Sequence, residues 1–194
     1  MASILMVASE ALPFIKTGGL ADVVGSLPQA LKQKGHEVKI VIPLYKKIWD
    51  KYQNDLYFCC EYSVSINYHE VPVRVYSATV DDVAYFFIQH QGYFERDTLY
   101  GYEDDGERFA YFQKAVIEML NQLNYWPNII HCHDWQTGMI PCMIKETHDS
   151  DPRYNAIRFV YTIHNLLFQG NFGPEMLDSC LGLPYYLLDN GNVK

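Results

Sequence analysis

The sequence is short of basic residues, of cysteine pairs and of long apolar runs. Lys and Arg number 15 against 23 Asp and Glu, a net charge of −8. That balance speaks against a general nucleic-acid binder, which carries a basic patch, and against an anionic membrane surface. No apolar run reaches the ~18 residues that a membrane span requires. Met1-Ala2-Ser3 leads straight into a strand-like run with no basic n-region, so no signal peptide and a cytoplasmic location are expected. The five cysteines (Cys59, Cys60, Cys132, Cys142, Cys180) are odd in number, scattered and free of C-x-x-C. They read as reduced thiols that fill the core. Internal repeats, low-complexity segments, linkers, G-x-G-x-x-G, a P-loop and G-x-S-x-G are all missing. One domain is expected over residues 1–194.

What is present is an ordinary globular composition, 49% apolar and 20% charged over 194 residues, enough chain to bury a core. Ile4 to Ala8 is an apolar run, followed by Lys16-Thr17-Gly18-Gly19-Leu20-Ala21-Asp22-Val23 and a helix-like run over 20–34. Strand, glycine turn and helix open a doubly wound α/β unit. Gly18 and Gly19 let backbone N–H groups come close to a ligand, and the helix start adds free N–H groups and a positive dipole end. Such a place suits a phosphate, although Gly-Gly before a helix is also plain loop chemistry. Lys16 supplies a mobile positive charge and Asp22 an acceptor one turn in.

Leu20, Val23, Val24, Leu27 and Leu31 recur at helical spacing, with Pro28 expected to kink the helix and Gly35 to end it. His36 to Ile42 is a second strand, completing a βαβ unit. A short helix is expected over 45–52. Three β-rich runs, 56–67, 71–79 and 83–90, fit an antiparallel meander, with turns at 68–70 and 81–82 and Pro72 at a strand start or edge. Residues 91–106 read as a polar, aromatic surface loop. A helix follows to Asn124, with Phe109, Phe112, Val116, Ile117, Leu120 and Leu123 inward. Asn128 to His133 and Ile157 to Ile163 are strands. Between them, 136–147 reads as a helix broken near Pro141. Short helices are expected at 175–180 and 184–188. The end, Gly191-Asn192-Val193-Lys194, shows no natural stop.

Ligands of open parallel sheets sit beyond the carboxyl ends of the strands. Three polar clusters fall there: 9–19, His131 to Trp135, and His164-Asn165. His131 and His133 share one face of a strand, so two imidazoles can meet one zinc. A zinc hydrolase would want Asp two residues past the second His, whereas Asp134 follows directly. A satisfied structural histidine is the simpler reading for His131 and His164, and a helix N-cap for Asp134. Glu10, Asp22 and Asp134 are the carboxylates at the mouth.

The octapeptide 16–23 after a strand ending in Ser9-Glu10, Pro127-Asn128-Ile129-Ile130-His131-Cys132-His133-Asp134-Trp135, Thr162-Ile163-His164-Asn165 with Gln169-Gly170, and Tyr102 with Asp104 ahead of Arg108-Phe109 resemble, in order and spacing, the bacterial glycogen synthases and plant starch synthases. The resemblance runs from residue 3 to the end. It implies a Rossmann-like, doubly wound, mostly parallel sheet with an antiparallel hairpin insertion, as the N-terminal, acceptor-side half of a GT-B architecture. It implies a retaining glucosyltransferase moving glucose from ADP-glucose to the non-reducing end of an α-1,4-glucan, without a metal or other cofactor. The C-terminal nucleotide-gripping domain of that family is absent here, so the fragment alone is expected to be inactive. Carried over by position, Asp134 and His164 line the reaction centre. Lys16, Gly18, Gly19, Asp22 and Asn165 belong to donor binding, Tyr102 and Trp135 to the acceptor side, and His133 stands behind them. A zinc hydrolase on His131 and His133, and a non-catalytic glucan-binding module, are the alternatives.

Overall fold

The computed structural model describes residues 1–189; the chain end at 191–194, read as lacking a natural stop, lies outside the described residues. In chain order the elements are β1 (Ser3–Val7), α1 (Gly19–Gln33), β2 (Glu37–Pro43), α2 (Lys46–Tyr52), β3 (Tyr57–Ile66), β4 (His69–Val80), β5 (Val83–Gln89), α3 (Gln91–Phe94) and α4 (Asp105–Gln122). They continue as β6 (Ile129–His133), α5 (Ile140–Thr147), α6 (Pro152–Asn155), β7 (Arg158–Thr162), α7 (Met176–Ser179) and α8 (Tyr186–Asp189). A 3-10 turn at Trp135–Thr137 separates β6 from α5.

Seven strands form one sheet in the order β3-β4-β5-β2-β1-β6-β7. The run from β5 to β7 is parallel, and β3, β4 and β5 form the antiparallel meander. β1 and β2 are near-continuous apolar runs because both are central and buried on both faces. The meander turns at Asn67-Tyr68 and Asp81-Asp82, all four at positive φ. Two such residues in succession make the hairpin turn whose twist matches the strands; the first turn lies one residue earlier than expected. Pro72 sits where β4 runs past the end of β5, so no ladder bond is lost there.

Helices surround the sheet, and α4 is the most enclosed. Phe109, Phe112, Val116, Ile117 and Leu120 are buried as expected, and so are Tyr111, Ala115, Met119 and Arg108. α1 runs as one helix through a buried Pro28. Its buried face is Leu20, Ala21, Val24 and Pro28, while Val23 points out at 38% exposure. Gly35 closes the helix at φ 85°, its N–H donating to the Lys32 carbonyl at 2.8 Å.

Two expected features are corrected. Residues 91–106 are a surface loop only in part. Their first turn is α3, capped by the His90 ring accepting from Tyr93 N–H at 3.2 Å. Tyr93, Phe94 and Leu99 are buried, Phe94 among Tyr45, Phe109 and Phe112. Pro141 does not break a helix but opens one, in the first turn of α5, where its missing N–H is not needed.

Candidate active site

The winding direction reverses between β1 and β6. From β1 the chain builds β2 and the meander on one side, then returns to lay β6 and β7 on the other. A crevice opens at the carboxyl ends of strands at such a switch point. All three polar clusters expected to converge fall there, after β1, β6 and β7, which are neighbours in the sheet.

After β1, Ser9 and Glu10 are buried polar residues. Ser9 Oγ and Tyr100 Oη lie 2.8 Å apart, tying this strand end to the 96–104 loop. Glu10 reaches under the glycine loop and accepts from Thr17 N–H at 2.5 Å. Burial raises its pKa, the Thr17 and Gly18 N–H groups pull it back down, and the Asp134 carboxylate across the crevice adds to the rise. Gly18 is the N-cap of α1, and no side chain caps that helix. A methyl group added at Gly19 would meet nothing within 4 Å, and one at Gly18 would come only within 3.8 Å of Glu10. Packing within the chain therefore requires neither glycine. Lys16 and Asp22 form a bidentate pair, Nζ donating to both carboxylate oxygens at 2.7 Å. Both are about half exposed.

After β6, Asp134 holds φ 57° and ψ 178°, backbone space that is essentially reserved for glycine. Its surroundings over-determine it. Its N–H donates to the Thr162 carbonyl at 3.0 Å, its carbonyl accepts from Thr137 N–H at 3.1 Å, and its Oδ1 accepts from His164 N–H at 2.7 Å. The N-cap reading of Asp134 is thus corrected: no side-chain bond caps the turn after it. The carboxylate clamps the end of β7 instead.

Three imidazoles line the same wall. His131 and His133 rings stack at 4.1 Å, and His133 stacks on His164 at 5.2 Å. His131 Nε2 meets Thr162 Oγ1 at 2.7 Å, and His133 Nδ1 meets His164 Nε2 at 2.9 Å. Burial, then the neighbouring rings of His131 and His164, drive the His133 pKa down to about 3. Burial lowers that of His131 as well. These rings are engaged with each other and with Thr162. Among the described residues no group of three or more His, Cys, Asp or Glu is arranged to hold a metal ion.

The remaining expected site residues make their contacts outside this cluster of rings and carboxylate. The Asn165 side chain accepts from Leu167 N–H at 3.0 Å and shapes its own exposed turn. Tyr102 lies over the Arg96 guanidinium at 4.7 Å and near that of Arg108 at 5.3 Å, its hydroxyl accepting from Thr98 N–H at 3.0 Å. Arg96 in turn grips Asp104 with two bonds of 2.6 Å. Trp135 packs edge-on against Phe109 at 5.3 Å and against Phe172 at 5.2 Å. It lines a cavity of about 320 Å³ with Gln169, Gly170, Phe172 and Met176. Arg96, Arg108, Tyr100 and Thr162 were not singled out from the sequence for these roles. Their partners lie six to ninety-one residues away, and no local signal marks them.

Comparison with known proteins decides the family. The model of the starch synthase catalytic domain matches residues 3–194. The chain belongs to that family. It is 45% identical to the glycogen synthase of Clostridium kluyveri and 44% identical to that of Clostridium perfringens, over 98% of this chain in each case. It spans 40% of the length of each of these relatives. The catalytic domain of starch synthase IV from Arabidopsis thaliana, solved bound to ADP and acarbose, superposes with a TM-score of 0.85 at 34% identity, over 97% of this chain and 38% of that one. The mostly parallel sheet with its antiparallel pair is accordingly the Rossmann-like N-terminal domain of a GT-B glycosyltransferase.

Proposed function

We propose that this chain is the acceptor-side half of a retaining glucosyltransferase that moves glucose from ADP-glucose to the non-reducing end of an α-1,4-glucan. The observation that carries the proposal is the clamp at the switch point. The Asp134 carboxylate, held in glycine-only backbone space at the end of β6, grips the His164 N–H beyond β7 at 2.7 Å, and β6 lies next to the strand that leads into the glycine loop. Family membership and the ADP named for the Arabidopsis structure support the donor class.

In this reading the uncapped start of α1 and Lys16 receive the diphosphate, and Gly18 and Gly19 leave room for it. Asp134 and the backbone at His164 face the sugar, where negative charge and carbonyl dipoles stabilise an oxocarbenium-like centre. Asp22 holds Lys16 until the donor arrives. Tyr102, Trp135 and Asn165 shape the acceptor approach and the pocket wall. The bond from the anomeric carbon to the diphosphate oxygen breaks, and a bond to the acceptor hydroxyl oxygen forms on the same face. The hydroxyl proton passes to the departing diphosphate, leaving ADP and a glucan longer by one unit. No metal or other cofactor is assigned a step. The curated relatives are about two and a half times as long as this chain. We assign the remaining contacts to the nucleotide, and the closure that excludes water, to a second domain of the complete polypeptide. A cytoplasmic location fits the five free thiols and a chain in which, among the described residues, no helix is long and apolar enough to cross a membrane.

The test is transfer of labelled glucose from ADP-glucose to glycogen, with and without EDTA, by the complete polypeptide and by residues 1–194. Transfer by the former that ignores EDTA, and none by the latter, is expected. A folded complete polypeptide that transfers from neither ADP-glucose nor UDP-glucose refutes the proposal. Activity lost in EDTA would restore the zinc reading of His131 and His133.

A further inference from the structure

We infer that His133 is a positioning residue that holds His164 in its Nδ1–H tautomer, so that the ring nitrogen of His164 with no partner among the described residues is a hydrogen-bond donor.

One proton is shared by two rings. His133 Nδ1 and His164 Nε2 are 2.9 Å apart, so one of them carries the hydrogen and the other accepts it. If His164 donates, the neutral His133 must carry its own proton on Nε2. That atom is buried and has no partner among the described residues, so a donor would be orphaned. If His133 donates from Nδ1, its Nε2 is a bare acceptor. Orphaned buried N–H groups are rarer than under-used acceptors, so the second arrangement is favoured. It requires His164 to keep its proton on Nδ1.

The His133 ring cannot turn away from this duty. It is fully buried and stacked at 4.1 Å on His131. Its carbonyl accepts from Thr137 Oγ1 at 2.9 Å. A flip about its Cβ–Cγ bond would present carbon to His164 and lose the bond. The His131 ring is fixed in turn by Thr162 at 2.7 Å. Burial also keeps His133 neutral, as this arrangement requires. The backbone of His164 is pinned separately by Asp134. Main chain and ring are therefore set by two different residues, both from the end of β6.

The use of this donor rests on the transferase reading. A fixed N–H beside the reacting sugar nucleotide suits an oxygen acceptor, either a sugar hydroxyl or a phosphate oxygen. A bare nitrogen there would repel the phosphate and would serve only hydroxyl donors.

The test reads the tautomer directly, in the chain as it is. Long-range 1H–15N correlation spectra of 15N-histidine-labelled protein at pH 7 distinguish protonated from bare ring nitrogens, with His133→Asn and His164→Asn spectra giving the assignments. Protonated Nδ1 and bare Nε2 on both His133 and His164 are expected. A protonated Nε2 on His164 overturns the inference whatever the activity. In the complete polypeptide, His133→Ala should lower kcat about tenfold, roughly the worth of one hydrogen bond, and should let both tautomers of His164 appear. His133→Asn, whose amide can donate from nearly the same place, should recover most of the rate and the single Nδ1–H form. Unchanged kcat and a single His164 tautomer in His133→Ala would also overturn it. The expected tautomer in a wild type that transfers no glucose would refute the transferase reading and leave the role of His133 standing.

Discussion

Asp134 offers a stability test in which alanine and glycine should change places. At an ordinary site, glycine is worse than alanine by about 0.4–1 kcal/mol, because it frees the unfolded chain. Asp134 sits at φ 57° and ψ 178°, where a side-chain-bearing residue stores about 1–3 kcal/mol of strain. Asp134→Ala and Asp134→Gly lose the same carboxylate and the same bond to His164, a charge-assisted hydrogen bond worth about 1.5–3 kcal/mol. They differ only in the backbone. Alanine keeps the strain and glycine releases it, so the glycine variant should be the more stable by about 0.5–2 kcal/mol after its entropy is subtracted. For a chain of this size that is roughly 1–8 °C in Tm. Paired urea titrations, with thermal melts followed by circular dichroism, measure the gap. Both variants should be inactive in transfer, which keeps the stability order from being confused with function. An alanine variant as stable as the glycine variant, or more so, would show that the turn after β6 is unstrained.

The pH dependence of stability should report His133. Its folded pKa of about 3 lies below the ordinary histidine value of 6.5, so in acid the unfolded ring takes up a proton that the folded ring refuses. Its contribution is complete above pH 6.5 and is lost as pH falls towards 3, by at most about 1.4 kcal/mol per pH unit. Urea unfolding at pH 7 and pH 5 should show a smaller acid loss in His133→Asn than in wild type; equal losses refute the assignment. Gly170 has φ 67°, and an added Cβ would lie 2.6 Å from the Trp135 ring. Gly170→Ala should therefore cost about 2–4 kcal/mol and shift tryptophan emission, and an unchanged urea midpoint with unchanged emission would sink that account. Lys16→Ala removes a half-exposed ion pair and should cost no more than about 1 kcal/mol. It should cut transfer by the complete polypeptide about 100-fold or more, and unimpaired transfer would remove Lys16 from the site.

The parallel core was legible because central strands announce themselves. The runs 4–8 and 38–42 are apolar apart from Lys39, with a glycine-bounded helix between them. The three polar clusters could be placed at one sheet edge because each directly follows a strand. What stayed hidden depended on partners far along the chain. The 91–106 segment is rich in Tyr, Gly and charge and reads as surface. It is folded inward in part by Arg96 gripping Asp104 and by Arg108 donating to the Leu99 carbonyl at 2.5 Å. Asp134 reads as an N-cap because Asp before a turn usually is one; only the tertiary bond to His164 shows otherwise. Val23 fits the helical spacing, yet Ala21 and Pro28 took the buried positions. Periodicity fixes a face only to within about one residue of arc.

β7 is bonded on one side only, to β6, and among the described residues it is the last strand of the sheet. Val160, Tyr161 and Ile163 on and just beyond it are 44–53% exposed. The strand that delivers His164 is thus an edge strand, five residues long against ten for β3 at the other edge. Amide hydrogen exchange should be fast along β7 and slow along β1 and β2, because an edge strand can open without the core. Each such opening would carry His164 away from both Asp134 and His133 and dissolve the clamp. The fraction of time the crevice is assembled is then governed by the local opening free energy of β7, not by the global stability of the domain. Whatever covers that edge in the complete polypeptide would tune the site without touching it.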